Sequence, residues 1–404
     1  MIKEITIKNY KSIFSASLDL GKLNIFIGPN GSGKTNLLEA IATFSAEKDG
    51  RICIEDLIGK GVRVAKPELT IGSFYGKQGH KVIEGSIRGD VNGKLFSKIY
   101  KLICEDWENV YSDWINDYRN HPLMNMEHFI RNSAVLGGAL HNFHPNLLAE
   151  KMEDYSKSLG EFKTLRRTFE NKERADIPHY TEVARKHLAN FLIYSPSPSA
   201  LRGFTNESKK VPLGLHGEGL DLLISSFNNE EQNLLYEFAC HYIGWLQRII
   251  LEENDQFKTD GYKLSRSNST LFFMDKLMQK KNRLLSVENV DDGTLRILFY
   301  LALIISSKTP SFFALDNIET GLNPLLLSPF VNELIDLIKR TQKQILITTN
   351  SPILLDILDI ENTDICLFSV KRTQEGQTEI KKISFSRKEL EMDPLSNKWI
   401  RGDL

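Results

Sequence analysis

Cysteine is scarce in this chain: there are four in 404 residues (Cys53, Cys104, Cys240 and Cys366), and no two stand at a C-x-x-C spacing. That excludes a disulfide framework and a thiolate metal site, so the four read as buried thiols in a reducing compartment. An excess of charge is missing as well. The 51 basic and 52 acidic residues leave a net charge of −1, so no global field draws the chain to nucleic acid or membrane, although local basic patches remain open. No apolar run approaches the roughly 20 residues that span a bilayer; Ile297 to Ile305 covers about half of that. The opening Met1-Ile2-Lys3-Glu4-Ile5 alternates like a strand and lacks the charged-then-apolar layout of a signal peptide. These absences predict a cytoplasmic protein with no membrane partner. What remains is ordinary globular composition, 41% hydrophobic and 25% charged, in a length that suits two or three domain-sized units.

Against this plain background one stretch stands out. Gly28-Pro29-Asn30-Gly31-Ser32-Gly33-Lys34-Thr35 is a G-x-x-x-x-G-K-[ST] loop. The apolar run Leu23 to Ile27 precedes it and the helically spaced Asn36 to Ala42 follows, which is the strand–loop–helix context the motif requires. Its glycines let backbone N–H groups turn inward on a phosphate, and the helix N-terminus adds donors and partial positive charge. Lys34 is placed to reach the β- and γ-phosphates, and Thr35 to hold Mg²⁺.

Along the chain, Ile2 to Asn9 and Ser15 to Leu20 read as strands ahead of the phosphate loop. Leu69 to Tyr75, Lys81 to Ile87 and Leu95 to Tyr100 read as an antiparallel meander. Residues 104–190 shift toward charge and helical spacing and read as a helical insertion, with Met152 to Arg174 as a long exposed helix. There, His141 with His144, and Arg119 with His121, are weak candidates for metal or nuclease chemistry; a polar loop explains them better. Beyond it come a core strand at Phe191 to Tyr194, a loop at Ser195 to Ser199, and a glycine loop at Gly214 to Gly219 opening a helix. Glu230 to Leu251 reads as one long helix, and Thr270 to Leu277 pairs with Arg283 to Val287. The last third alternates helix and strand (Gly293 to Ser306, Phe312 to Leu315, Leu325 to Gln342, Ile345 to Thr349), and ends in two strands at Ile365 to Val370 and Thr378 to Ile383. That alternation points to a parallel sheet covered on both faces. The fold expected is therefore α/β: a P-loop NTPase with an antiparallel β-subsheet and a helical insertion. Its units are an N-terminal lobe (1–103), the insertion (104–190) and a C-terminal lobe (191–404).

A P-loop needs a distant carboxylate for Mg²⁺. Phe312-Phe313-Ala314-Leu315-Asp316 provides one at the end of a buried strand, where α/β folds bind ligands. With that residue in place the chain resembles the ABC-type ATPase heads of the SMC, RecF and OLD lineage. The matching segments are Ile7-Lys8-Asn9-Tyr10-Lys11-Ser12-Ile13, Gly28 to Thr35, Val290-Asp291-Asp292-Gly293-Thr294 before an apolar helix, Asp316-Asn317-Ile318-Glu319-Thr320-Gly321-Leu322-Asn323-Pro324, and Thr348-Thr349-Asn350-Ser351-Pro352. They cover about residues 1–103 and 190–385. Within the lineage the chain looks most like stand-alone bacterial ATPases of the AAA-21 kind, many of which serve in anti-phage defence beside a nuclease or toxin.

The resemblance implies ATP with Mg²⁺, the metal on Thr35 and Asp316. It implies nucleotide contacts from Lys11, Ser12, Asn30, Gly31, Ser32, Gly33, Lys34, Thr35 and Asn36, and catalytic roles for Lys34, Asp316, Asn317, Glu319 and Asn350. It also implies a homodimer or larger assembly, in which Gly293 and Thr294 of one head cap the phosphate held by the other. A separate effector protein is the further partner, with nucleic acid as an additional one. Three residues depart from the lineage's pattern. Asn317 stands where a glutamate orients water, and a carboxamide accepts no proton, so Glu319 is the substitute. Asn350 replaces a histidine and has no titratable proton. Asp291 replaces a serine, and either it or Asp292 suits a helix cap better than a phosphate contact. These departures predict slow hydrolysis and a long-lived ATP-bound state. Alternatives of other classes are a DNA-binding repair ATPase of RecF type and an insertion-borne nuclease or toxin.

Overall fold

In the computed structural model, the residues described are 1–74, 81–116 apart from 92 and 110, 182–204, 212–252, 257, 261–262, 267–356, 358, 362–384 and 394–402. The long helix expected at Met152 to Arg174, and His121, His141 and His144, lie outside them. Fifteen strands occur among the described residues: β1 (Ile2–Tyr10), β2 (Ile13–Asp19), β3 (Leu23–Ile27), β4 (Arg51–Ile52), β5 (Val82–Val91), β6 (Lys94–Cys104), β7 (Trp114–Asn116), β8 (Ile193–Tyr194), β9 (Leu246–Leu251), β10 (Leu271–Asp275), β11 (Leu284–Ser286), β12 (Phe312–Leu315), β13 (Gln344–Thr349), β14 (Ile365–Arg372) and β15 (Thr378–Lys382).

The central sheet has the order β15-β14-β3-β13-β12-β8. All its pairings are parallel except β14 with β15. Its parallel strands are largely apolar because both faces are covered, whereas the antiparallel edge strand β15 is polar and mostly exposed. Leu23, Ile25 and Ile27 of β3 enter one core with the helices Asn229–Tyr242, Asp292–Ile305 and Pro324–Thr341. Phe26 enters the other, stacked on Phe368 at 4.8 Å beneath the helix Lys34–Ser45. The second sheet, β2-β1-β5-β6-β7-β4, is antiparallel throughout and roofs that second core. A third sheet, β11-β10-β9, is a short antiparallel ribbon.

The order of the central sheet decides where the chemistry lies. Strands β3, β13 and β12 are neighbours, so the phosphate loop, Thr348 to Asn350 and Asp316 emerge side by side at their carboxyl ends. That edge is the ligand-binding edge of an open α/β sheet.

Three segments differ from the sequence expectation. Residues 69–74 do not begin the meander: Pro67 opens the short helix Pro67–Thr70, and Ile71 makes only an isolated bridge to Tyr10. Proline at a first helical position pre-sets that turn. The helix expected over 230–251 stops at Tyr242, and Leu246–Leu251 is β9. Gly244 breaks the run, and β10 takes up the β-branched Ile249 and Ile250 as antiparallel partners. The antiparallel sheet also runs beyond residue 103, since Trp114–Asn116 pairs with both β6 and β4.

One buried cation ties the central sheet to the helix Asp292–Ile305. Lys343 is 4% exposed and donates to Ser306 O at 2.7 Å, Thr309 Oγ1 at 2.6 Å and Pro310 O at 3.2 Å. Burial pulls its ammonium down to about 7, with Glu231 opposing. Above that value the unfolded chain holds a proton that the folded chain lacks, up to the ordinary lysine range near 10.4, so stability rises with pH across that window. Urea unfolding at pH 7 and pH 9 is expected to show wild type gaining about 1–2 kcal/mol relative to Lys343→Met over that interval. Parallel curves for the two proteins would show that Lys343 keeps an ordinary pKa.

Candidate functional site

The phosphate loop is shaped by its glycines. Gly31 and Gly33 lie at φ +77° and +105°, backbone that side chains rarely adopt. A Cβ on Gly33 would stand 2.0 Å from Thr378 Oγ1, and one on Gly28 2.3 Å from Val370 O. The loop is thus pressed against β14 and β15 from behind. Ser12 and Thr378 weld this contact: their hydroxyls lie 2.7 Å apart, Thr378 donates to Ser32 O at 2.8 Å, and Asn36 donates to Ser12 at 2.7 Å. Thr378 had no local signal in sequence, since it reaches the loop only through the pairing of β15 with β14 and of β14 with β3.

Lys34 is 5% exposed, and its ammonium donates to Gly28 O at 2.6 Å and Pro29 O at 3.0 Å. Burial pushes its pKa down, while the Glu319 and then the Asp316 carboxylate hold it up. Thr35 donates to both oxygens of Asp316, at 2.9 and 3.2 Å. Asp316 is also fixed by Thr348 Oγ1 at 2.5 Å, and that same hydroxyl accepts from Asn317 N–H at 2.8 Å. Thr348 thus holds Asp316 and Asn317 in place, a contact that the sequence of its segment does not reveal. Asn317 lies at φ +53°, a conformation asparagine tolerates better than most residues. Glu319 Oε1 accepts from Asn350 N–H at 3.1 Å, and its Oε2 is buried with no hydrogen-bond partner. Asn350 in turn donates to Asn30 Oδ1 at 3.3 Å. Asn30, Lys34, Thr35, Asp316, Asn317, Glu319 and Asn350 are thus brought into one connected cluster.

Lys11 is committed elsewhere. It donates to Glu39 at 2.6 Å and to Arg63 O at 3.1 Å, and Arg63 donates to the other Glu39 oxygen at 2.7 Å. Glu39 is fully buried, and Arg63, together with Lys11, keeps its carboxylate below the usual range against burial, which acts the other way. Gly293 and Thr294 open the helix Asp292–Ile305. Of the two aspartates expected to cap it, Asp291 is the N-cap: it accepts from Thr294 N at 2.8 Å and Thr294 Oγ1 at 2.7 Å. Both Thr294 donors are therefore used within the helix, which leaves the backbone of Asp292 and Gly293 as the outward donors at this end.

The cluster fits a magnesium nucleotide. A threonine hydroxyl beside an aspartate offers the hard oxygens Mg²⁺ takes. Within the glycine loop, Ser32 Oγ is buried with no hydrogen-bond partner, a donor that a phosphate oxygen would satisfy.

Known proteins resemble this chain in family and in fold. Over residues 1–355 the chain matches AAA_15, the AAA ATPase domain family. It is 32% identical over 120 residues to the DNA double-strand break repair Rad50 ATPase of Methanopyrus kandleri, covering 29% of this chain and 13% of that one. It is also 32% identical over 113 residues to the DNA replication and repair protein RecF of Glaesserella parasuis, covering 25% of this chain and 30% of that one. The chain thus spans less than a third of either relative. Among solved structures, an Smc head bound to the C-winged helix domain of ScpA superposes with a TM-score of 0.52 at 15% identity, covering 96% of this chain and 99% of that one. That likeness shows the fold. With its phosphate loop, the carboxylate that faces it and a family match over 355 of 404 residues, the chain is a P-loop ATPase with an SMC-head fold and belongs to the AAA_15 family of AAA ATPase domains.

Proposed function

We propose that this ATPase is a slow switch: two heads close on ATP, each covering the other's triphosphate, and the closed state is passed to a separate effector. The observation that carries the reading is Glu319. It is one of the two carboxylates acting on Lys34, it is anchored on the Asn350 N–H, and its second oxygen is buried with no hydrogen-bond partner. In this reading Lys34 exchanges two neutral carbonyls for phosphate oxygens, and Glu319 takes the proton of the attacking water. Mg²⁺, held by Thr35 and Asp316, supplies charge neutralisation on the phosphates. Asn350 and Asn317 orient by hydrogen bonds alone, because neither accepts a proton. A single, displaced base supports slow turnover.

The effector step follows from the resemblance to stand-alone ATPases that act beside a nuclease or toxin, with anti-phage defence as the setting. Purification with the products of neighbouring genes tests it: a stable ATP-dependent complex is expected, and none from any neighbour contradicts it. A second reading, direct DNA binding, draws on the RecF and Rad50 relatives. Salt-sensitive retention of duplex DNA by the head in the presence of a non-hydrolysable ATP analogue would favour it. Closure itself is tested by sedimentation velocity, with a dimer expected in Mg–ATP and a monomer without it; a monomer in both contradicts the switch.

The loop makes its own prediction. Gly33→Ala places a Cβ inside Thr378 and is expected to weaken ATP binding more than 10-fold by calorimetry. Gly31→Ala meets nothing within 4 Å and bears only the backbone strain, roughly 1–2 kcal/mol. Equal losses would show that contact with Thr378 does not shape the loop.

A further inference from the structure

Two adjacent carboxylates, Asp291 and Asp292, stand at the start of the helix that the proposed closure sets against a partner's phosphate. Unneutralised, they would repel it. Asp291 is accounted for by its two bonds to Thr294. Asp292 is 46% exposed, and it is paired with Arg202, whose side chain is only 15% exposed. One Arg202 nitrogen donates to Asp292 Oδ1, and the other donates to Val290 O at 2.6 Å. The guanidinium therefore grips both the acid and the carbonyl two residues before it, a planar fork that lysine does not reproduce. Arg202 is itself held from behind. Its carbonyl accepts from Ser267 Oγ, and the carbonyl of Gly203, a residue at φ +69°, accepts from Asn268 N–H at 3.0 Å.

We propose that Arg202 is the positioning residue of this turn: by neutralising Asp292 and clamping Val290, it allows the acidic helix start to accept a partner's γ-phosphate on its first backbone N–H groups. The inference rests on the closure reading above. It explains why an Asp-Asp-Gly turn stands where the lineage's pattern has a serine. The pair Arg202–Asp292 contributes no net charge, and the Asp291 carboxylate is spent on the Thr294 donors of its own helix, so one carboxylate and not two stands against the incoming phosphate at the helix start. Remove Arg202 and Asp292 becomes a bare anion facing an anion, at a cost that falls on closure and not on the first binding of ATP.

The test measures two quantities for each variant in Mg²⁺ with a non-hydrolysable ATP analogue: nucleotide affinity at dilute protein, and the dimer dissociation constant by sedimentation. Arg202→Met is expected to bind nucleotide as wild type does and to dimerise at least ~10-fold more weakly. Adding Asp292→Asn to Arg202→Met is expected to bring the dimer constant back to within about threefold of wild type, which lost packing alone would not allow. Asp292→Asn alone keeps the positive charge and is expected to dimerise as well as wild type or better, so the idea stays testable if Arg202→Met folds poorly. An Asp292→Asn protein that dimerises 10-fold more weakly, or a double variant no better than Arg202→Met, overturns the assignment while leaving closure intact. A wild-type chain that never dimerises overturns closure and this inference together.

Discussion

Lys34→Ala is expected to weaken ATP binding by about 100-fold while leaving the fold in place. The ammonium stands 2.6 and 3.0 Å from two neutral loop carbonyls, and a triphosphate offers it charged acceptors instead, which make the stronger bond. Losing a bond to a charged group at a buried site costs up to about 3 kcal/mol, or roughly a factor of 100 in affinity. Alanine also removes the cation between Glu319 and Asp316, the two carboxylates that hold its pKa up. Glu319 would then face the phosphates without that cation, which adds to the loss. Calorimetric titration with Mg–ATP measures it, and an unchanged circular dichroism spectrum separates lost binding from lost structure. An affinity within threefold of wild type would remove Lys34 from the site.

Glu319→Gln is expected to do the opposite: binding within about twofold of wild type and turnover lower by ~10²-fold or more, the usual size of a general base's contribution. Glutamine keeps an acceptor for the Asn350 N–H that now meets Oε1 at 3.1 Å, so the local geometry survives. What it loses is the capacity to take a proton. If Glu319→Gln turns over ATP as fast as wild type, the base lies elsewhere and the reading of this loop is wrong. The companion change Asn317→Glu does not simply restore the lineage's pattern. Residue 317 lies at φ +53°, a backbone that asparagine accepts and glutamate resists.

Much of this site was legible because it is local. The phosphate loop is eight consecutive residues with a strand on one side and a helix on the other. Asp316 is legible because a buried four-residue strand ends in a carboxylate. That an aspartate caps the helix after Val290 was readable from residue chemistry, but which of Asp291 and Asp292 does so was not; the structure places the cap at Asp291. What was not legible depends on contacts between distant residues. Thr378 and Ser12 are 366 positions apart and meet only because β15 closes one edge of the central sheet. Arg202 sits in what reads as the end of a Ser-Pro loop, and its partner lies 90 residues on. Lys11 follows the lineage's first-strand turn, yet its ammonium is tied to the buried Glu39; no spacing rule reveals that pairing. The failure at 230–251 has the same origin, since helical spacing in Leu246–Leu251 yields to pairing with β10.

Steady-state hydrolysis by the purified wild-type chain, without partners and at saturating Mg–ATP, bears most directly on the central claim that this head holds ATP as a signal. With Asn317 and Asn350 unable to accept a proton and Glu319 as the single base, the rate is expected to fall well below the ~10 per second of an ordinary enzyme, at or under about one per minute. Turnover of many ATP per second by the chain alone would contradict the account.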